Sequence, residues 1–165
     1  MSPAITTGRG PRGAAPVIRR ATARDAKRLT RLVRTSRAYE GPYAPMVAGY
    51  RVGPDYIETH KVFVAVGADD RLLGFYALVL SPPELDLMFV SDAAQGLGIG
   101  RGLVEHMRGE ARRAGLTGVR VVSHPPAEGF YRSMGAVRVG IEAARPPAVM
   151  WDRPELLIPV DGRLP

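Results

Sequence analysis

Short segments in which apolar and polar residues alternate recur along the chain, and a period of two residues is typical of β-strands. These segments predict seven strands, at 17–20, 61–66, 72–80, 84–90, 119–123, 136–141 and 156–160. In the fourth strand, strict alternation places Glu84, Asp86, Met88 and Val90 on one face of the sheet. Gly74, within the third strand, predicts a bulge or a close approach between backbones.

Apolar residues at spacings of three and four predict helices between these strands. One begins at Thr22, where a hydroxyl and Asp25 three residues later form a capping-box pattern. A longer helix is predicted over 98–114 and a short one over 126–134, and both are followed by glycine. Residues 55–60 predict a further helical turn.

The order of these elements predicts a mixed α/β (α+β) fold around one sheet. A chain of 165 residues suggests one domain, and a domain of this length can bury a core without disulfides. Residues 1–16 are rich in Gly, Pro and Ala and have almost no large apolar residue, so we expect a disordered tail. The single domain is then expected to cover residues 17–165.

Composition excludes several classes of protein. The chain has no cysteine, and its three histidines lie far apart without a ligand spacing, so we expect no metal site. No apolar run approaches the ~20 residues that span a bilayer, and the N-terminus lacks the apolar segment of a signal peptide. We therefore expect a soluble cytoplasmic protein with no membrane partner.

The net charge is +7, and much of it is concentrated between Arg19 and Arg37, where eight basic residues accompany one acid, Asp25. This pattern is compatible with nucleic-acid binding through a basic helix or with a solvated helix face. No aromatic residue is interleaved before Tyr39 and no nucleic-acid motif accompanies the arginines. The solvated face is the favoured interpretation, and we expect no nucleic-acid partner.

The segment QGLGIGR, at 95–101, follows the fourth predicted strand and precedes the long helix. Glycines let the backbone approach a ligand closely, and successive free N–H groups at a helix N-terminus form a cradle for an anion. The spacing is neither the GxxxxGK[ST] of a P-loop nor the GxGxxG of a Rossmann fold. The segment therefore suits a pyrophosphate, but it matches neither of these two phosphate-binding motifs.

Gln95, Gly98 and Gly100 match the Q/R-x-x-G-x-G/A signature, and the segment thereby resembles the GNAT superfamily of acetyl-CoA-dependent N-acetyltransferases. The preceding strand, 84–90, resembles the family's central strand, and 127–136 resembles its A-x-x-F-Y-x-x-x-G segment. The resemblance implies a single domain with a mixed, mostly antiparallel central sheet that is splayed at the fourth strand and flanked by helices.

The resemblance also implies that acetyl-CoA lies in the splay, with its pantetheine on the central strand and its pyrophosphate on the glycine loop. The cofactor-binding residues that follow are Met88, Phe89, Val90, Gln95, Gly96, Leu97, Gly98, Ile99, Gly100, Arg101, His124, Ala127 and Phe130. His124 stands where many relatives carry asparagine, so it either replaces that contact or ends a strand. Phe130 is equally compatible with a place in the core.

Acetyl transfer to an amine requires a base for the ammonium and an acid for the leaving thiolate. Through the resemblance, Tyr131 is expected to be the general acid. Glu84 is the expected base, acting through water, and Asp86 is the alternative. For Tyr131, Glu84 and Asp86, a purely structural role is the alternative.

The acceptor is expected to be a small-molecule primary amine. Tyr39, Tyr43 and Tyr50, in a Gly/Pro-rich segment, either line its binding site or cover the edge of the core. Two alternatives stay open, a peptide or protein N-acetyltransferase and a non-catalytic CoA-binding module. Relatives often dimerise, so a homodimer is compatible with the resemblance.

Overall fold

Seven strands and four helices build the chain over residues 16–161, which are the residues that the computed structural model describes. The strands are β1 Val17–Arg20, β2 Lys61–Val66, β3 Leu72–Leu80, β4 Pro83–Val90, β5 Gly118–Val122, β6 Val137–Glu142 and β7 Arg153–Pro159. The helices are α1 Ala26–Thr35, α2 Pro54–Thr59, α3 Ile99–Arg113 and α4 Glu128–Ser133. All the predicted elements are present. The first three strands have the predicted bounds, and the ends of the other strands differ by one to three residues. The helix predicted from Thr22 begins with a 3₁₀ turn, Ala23–Asp25, that leads into α1. The predicted tail, 1–16, lies outside the described residues except for Pro16.

The strands form one sheet in the order β1-β2-β3-β4-β5-β7-β6. Every neighbouring pair is antiparallel except β4 and β5, which are parallel and joined through a single residue pair, Glu84 and Arg120. Beyond that pair the two strands diverge toward their C-terminal ends. The mixed, mostly antiparallel sheet splayed at the fourth strand is therefore confirmed.

The two faces of the sheet carry separate hydrophobic cores. The core on the α3 face includes the buried residues Tyr76, Leu78, Leu103, Met107, Leu156 and Ile158. The core on the α1 face includes Leu29, Val33, Ile57, Val62, Val64 and Phe75. Each face of the sheet thus has apolar packing of its own, and the core on the α3 face includes residues from both sides of the splay.

A bulge in β4 makes the predicted alternation of that strand wrong. Ala77 pairs with Leu87 while the next residue, Leu78, pairs with Leu85, so Asp86 is an extra residue without a partner on β3. The extra residue reverses the alternation that follows. Leu85, Met88 and Val90 consequently pack on the α3 face, whereas Leu87 and Phe89 pack on the α1 face.

Gly74 confirms the predicted close approach of two strands. A Cβ atom at this position would lie 2.7 Å from the carbonyl oxygen of Phe89 on β4. No side chain fits there without moving the backbone. Gly74 therefore lets β3 lie against the C-terminal half of β4, which is the half that borders the splay.

The basic residues around α1 have structural contacts. The buried carboxylate of Asp25 accepts a hydrogen bond from the backbone N–H of Thr22 (2.9 Å), as its predicted capping position requires. The same carboxylate pairs with Arg19 (3.1 Å) and Arg28 (2.9 Å). Arg34 donates to the backbone oxygen of Tyr50 (2.7 Å). Part of the positive charge thus holds α1 to its neighbours.

Residues 16–161 contain neither a membrane-spanning helix nor a group of side chains that could hold a metal ion. Among these residues, no helix has both the length and the apolar character needed to cross a bilayer. In the same part of the chain, no three His, Cys, Asp or Glu side chains are grouped as ligands for a metal ion.

Candidate active site

A cavity of about 730 Å³ occupies the splay between β4 and β5. Its walls come from β4, from the loop that precedes α3, from the segment that follows β5 and from the segment 36–50. It has this place because the two strands share only one residue pair and then separate. The cavity therefore runs through the sheet and is reached from elements of both faces.

The loop at 95–101 forms one end of the cavity. Among the described residues, none of the backbone N–H groups of residues 96–101 donates a hydrogen bond to another protein group. Gly98 has a φ of +81°, a left-handed conformation that glycine adopts without strain, and it is the N-cap of α3. The side-chain amide of Gln95 donates to the backbone oxygen of Val90 (3.2 Å) and thereby anchors the loop to β4.

These unpaired N–H groups at the positive end of a helix suit a pyrophosphate. Arg101 lines the cavity beside them and adds a positive charge. All the residues predicted to bind the cofactor line the cavity except Leu97, which is 70% exposed and lies outside the lining. The residues present therefore fit the diphosphate end of CoA.

Tyr131 lies between the loop and the opposite wall. Its side chain is only 6% exposed, but it lines the cavity, and no hydrogen bond joins its hydroxyl to another group within residues 16–161. Burial raises the pKa of Tyr131, so the hydroxyl keeps its proton at neutral pH. Phe130 packs beside it and under Gly100, so this side chain belongs both to the wall and to the core.

The two candidate bases are in different surroundings. Glu84 pairs with Arg120 (3.2 Å), does not line the cavity, and has a pKa that burial raises although Arg120 opposes the rise. Asp86, the bulge residue, does line the cavity and accepts a hydrogen bond of 2.5 Å from the hydroxyl of Tyr56. The bulge thus turns one carboxylate toward the cavity and leaves the other in an ion network.

Aromatic side chains form another part of the cavity wall. Tyr39 stacks on His124, with ring centroids 3.9 Å apart, and on Phe89, at 5.5 Å. Burial raises the pKa of Tyr39 to about 12. Tyr50 also lines the cavity, whereas Tyr43 stands behind His124, edge-on to it at 4.5 Å, and does not. Of the three predicted acceptor tyrosines, two therefore reach the cavity.

His124 follows β5 and is buried in the cavity wall. One ring nitrogen, Nε2, lies 2.7 Å from the backbone oxygen of Ala38 and donates its proton there. Burial lowers the pKa of His124, so the ring is neutral at pH 7. The other nitrogen, Nδ1, is buried and has no hydrogen-bond partner.

Arg153 is a cavity residue that the sequence analysis missed. It is the first residue of β7, whereas the pattern had predicted a strand only from Leu156 onward. Its Nε atom is buried without a hydrogen-bond partner. A signal was available, because the two-residue alternation of β7 continues from Leu156 back through Pro154, which makes Arg153 part of the same strand.

The chain matches the Acetyltransferase (GNAT) domain family over residues 50–145, more than half its length. Peptidyl-lysine N-acetyltransferase YjaB of Salmonella typhimurium is 35% identical over 81 residues, which are 49% of this chain and 53% of that protein. The match thus spans about half the length of this curated relative.

Solved structures resemble the fold over nearly the whole chain. A GCN5-related N-acetyltransferase from Rhodopseudomonas palustris has a TM-score of 0.75 at 15% identity, over 88% of this chain and 96% of its own. The structure of yncA from Salmonella typhimurium with its cofactor acetyl-CoA has a TM-score of 0.68 at 17% identity, over 92% of this chain and 98% of its own.

The splayed sheet with an N–H cradle beside its central strand, together with the family match, defines the chain as an acetyltransferase domain. The chain belongs to the GNAT family of acetyltransferases. The family resemblance inferred from the sequence is therefore confirmed.

Proposed function

We propose that the protein transfers the acetyl group of acetyl-CoA to a primary amine of a small molecule. The observation that carries the proposal is the cavity of about 730 Å³ that joins the N–H cradle to an aromatic wall, with Tyr131 between them. A volume of this size is in the usual range for small-molecule sites.

Acetyl-CoA, when bound, supplies an activated acetyl thioester. The N–H groups of residues 96–101 and Arg101 would hold its pyrophosphate, and the backbone of Met88–Val90 would pair with its pantetheine amides. His124, Ala127 and Phe130 are the remaining wall residues assigned to it. The support for this assignment is that the N–H groups are unpaired and aimed from a helix N-terminus.

Asp86 is proposed to receive the proton of the incoming ammonium, since an alkylammonium is largely protonated at pH 7. Asp86 is a lining residue of the cavity, and Tyr56 donates a hydrogen bond to its carboxylate. Glu84 acting through water is the alternative. Its raised pKa suits a base, but its carboxylate is held by Arg120. Tyr131 is proposed to hold the proton that the departing thiolate takes up.

Acetylation of peptidyl lysine is a second candidate function, because YjaB carries that activity in its name. Residues of the segment 36–50 form one wall of the cavity, where Tyr39 stacks on Phe89 of β4. A wall at this position favours a compact acceptor over a peptide chain. The choice between the two acceptors is therefore one result of the experiment below.

The proposal is tested with the full chain by isothermal titration with acetyl-CoA, with NADH as the control, and then by CoA release with a panel of amines. The panel contains amino acids, polyamines, aminoglycosides and lysine peptides. We expect micromolar binding of acetyl-CoA, no binding of NADH and turnover of at least one small amine. Absence of acetyl-CoA binding would make the loop at 95–101 a structural turn, and turnover of lysine peptides alone would select the second function.

A further inference from the structure

Three buried side-chain nitrogens lack a hydrogen-bond partner in the part of the chain that the structure describes: His124 Nδ1, Trp151 Nε1 and Arg153 Nε. They lie in one region. Tyr43 packs edge-on against both His124 (4.5 Å) and Trp151 (4.7 Å), and Trp151 is two residues from Arg153. Buried polar atoms in folded proteins are normally paired. A cluster of unpaired ones beside a cavity points to a polar ligand.

Arg153 differs from Arg19, Arg28 and Arg120, each of which pairs with an acid. Its neighbour on the same face of β7, Glu155, is bound by Arg120 at 2.5 Å. Glu142, which is opposite Arg153 in the register of β6 and β7, is bound by Arg120 (3.1 Å) and Arg145 (2.8 Å). No ion pair joins Arg153 to any acid among residues 16–161. Its charge is therefore left for something that enters the cavity.

Arg153, the first residue of β7, lines the cavity. Leu156 and Ile158 of β7 point into the core on the α3 face, so Arg153, at odd spacing from them, lies on the opposite face. Tyr39 lines the same cavity. Burial raises the pKa of Tyr39, and the charge of Arg153 opposes that rise.

We propose that the acceptor amine carries a carboxylate and that Arg153 binds it, so that the substrates are amino acids or closely related amino carboxylates. The inference rests on the proposed function, whose acceptor it specifies. A guanidinium presents a planar fork that matches a carboxylate. Asp86 supplies the complementary negative charge on another wall of the same cavity, toward the amine. Polyamines and aminoglycosides place positive charge against Arg153 and are disfavoured.

The test uses the full chain saturated with CoA and does not depend on turnover. Its probes are N-acetyl-L-amino acids, which stand for the product, and the matching N-acetyl-L-amino-acid amides, which lack the carboxylate. Binding is measured by isothermal titration for wild type, Arg153→Met, Arg153→Lys and the control Arg145→Met. Arg145 is a suitable control because it is exposed and paired with Glu142 outside the cavity.

We expect wild type to bind at least one N-acetyl-amino acid about 10–100-fold more tightly than its amide, as the loss of a charge-assisted hydrogen bond implies. Arg153→Met should abolish this preference, Arg153→Lys should retain part of it, and Arg145→Met should leave it unchanged. Affinity for acetyl-CoA should be the same in all four proteins.

Equal binding of acids and amides by wild type would overturn the inference, as would a preference that survives in Arg153→Met. Kinetics with amino acids and their amides distinguish this failure from failure of the proposed function. Turnover of amides or polyamines with no preference for amino acids would refute only the carboxylate site. Absence of acetyl-CoA binding would refute the proposed function itself.

Discussion

The hydroxyl of Tyr131 is buried in an apolar wall and retains its proton, because burial raises its pKa. If this proton goes to the leaving thiolate, Tyr131→Phe should lower kcat about 10²-fold or more, the usual contribution of a general acid. The phenyl ring keeps the packing, so affinity for acetyl-CoA should change less than about threefold. Steady-state kinetics and isothermal titration measure the two quantities.

Tyr43→Phe is the matched control for this substitution. Tyr43 stands behind His124 and does not line the cavity, so the loss of its hydroxyl should leave kcat within about twofold of wild type. If Tyr131→Phe behaves like Tyr43→Phe, the general acid is another group and Tyr131 has only a packing role.

Isosteric substitution can show which of the two carboxylates of β4, Asp86 or Glu84, acts as the base. Asp86→Asn should lower kcat/KM about 10²-fold, because an amide does not accept the proton of the ammonium. Glu84→Gln should lower it only a few-fold, since Glu84 is held by Arg120 outside the cavity lining. The measurement is kcat/KM against pH for both variants. The reverse order of effects would return the role of base to Glu84.

The sequence predicted most residues of this site but not the role of each. The cofactor loop was accessible because its glycines and following helix form a local pattern. Alternation could have extended β7 back to Arg153, but could not have predicted its place in the cavity, because that place depends on how β7 aligns beside β5. Glu84 was ranked ahead of Asp86 through the family resemblance, since alternation gave both the same face, and only the bulge separates them.

At the scale of elements, the start of α1 depends on one buried acid. Burial alone would raise the pKa of Asp25, but hydrogen bonds from Arg19, Thr22 and Arg28 outweigh it and hold that pKa below its usual value. A lowered folded-state pKa stabilises the protein above the unfolded-state pKa, and the stabilisation is lost as the pH falls through the folded value.

Asp25→Asn should therefore lower the free energy of unfolding by about 2 kcal/mol at pH 7. The difference from wild type should shrink as the pH falls below about 4, because the carboxyl of the unfolded chain then takes up a proton before the folded one does. Urea unfolding at pH 7 and pH 3 measures it. Asp70→Asn is the control, because Asp70 pairs with the same two arginines but is exposed, and it should cost about 0.5 kcal/mol or less. A difference that does not depend on pH would assign the effect to packing.

The elements themselves were largely predictable, because strands and helices here follow local periodicity and their ends carry glycine, proline or a capping residue. The bulge at Asp86 was not, since it depends on which residues of β3 lie opposite. The same limit applies to the 3₁₀ turns at Arg37–Tyr39 and Gly41–Met46, which sequence analysis described only as a Gly/Pro-rich loop. Such turns take their shape from the aromatic contacts around His124.

At the scale of the whole molecule, the half of the sheet made of β1–β4 meets the half made of β5–β7 at a single residue pair, Glu84 and Arg120. This junction leaves the side of β4 that faces away from β3 without ladder partners over Leu87–Val90. Unpaired strand amides exchange with solvent readily unless a ligand bonds to them. A ligand that lies along β4 would complete the pairing that β5 does not provide.

Hydrogen exchange followed by mass spectrometry tests this arrangement in the full chain. Saturating acetyl-CoA should slow exchange in peptides that cover Leu87–Val90 and the loop at 95–101, and leave those from β6 unchanged, because only the first two line the cavity. At about 100 times its dissociation constant, the ligand should also raise the free energy of unfolding by about 2.7 kcal/mol. NADH, which shares the adenosine diphosphate portion but has no pantetheine, should protect neither segment. Protection of the loop without protection of β4 would mean that the diphosphate binds as proposed while the pantetheine takes another path through the cavity.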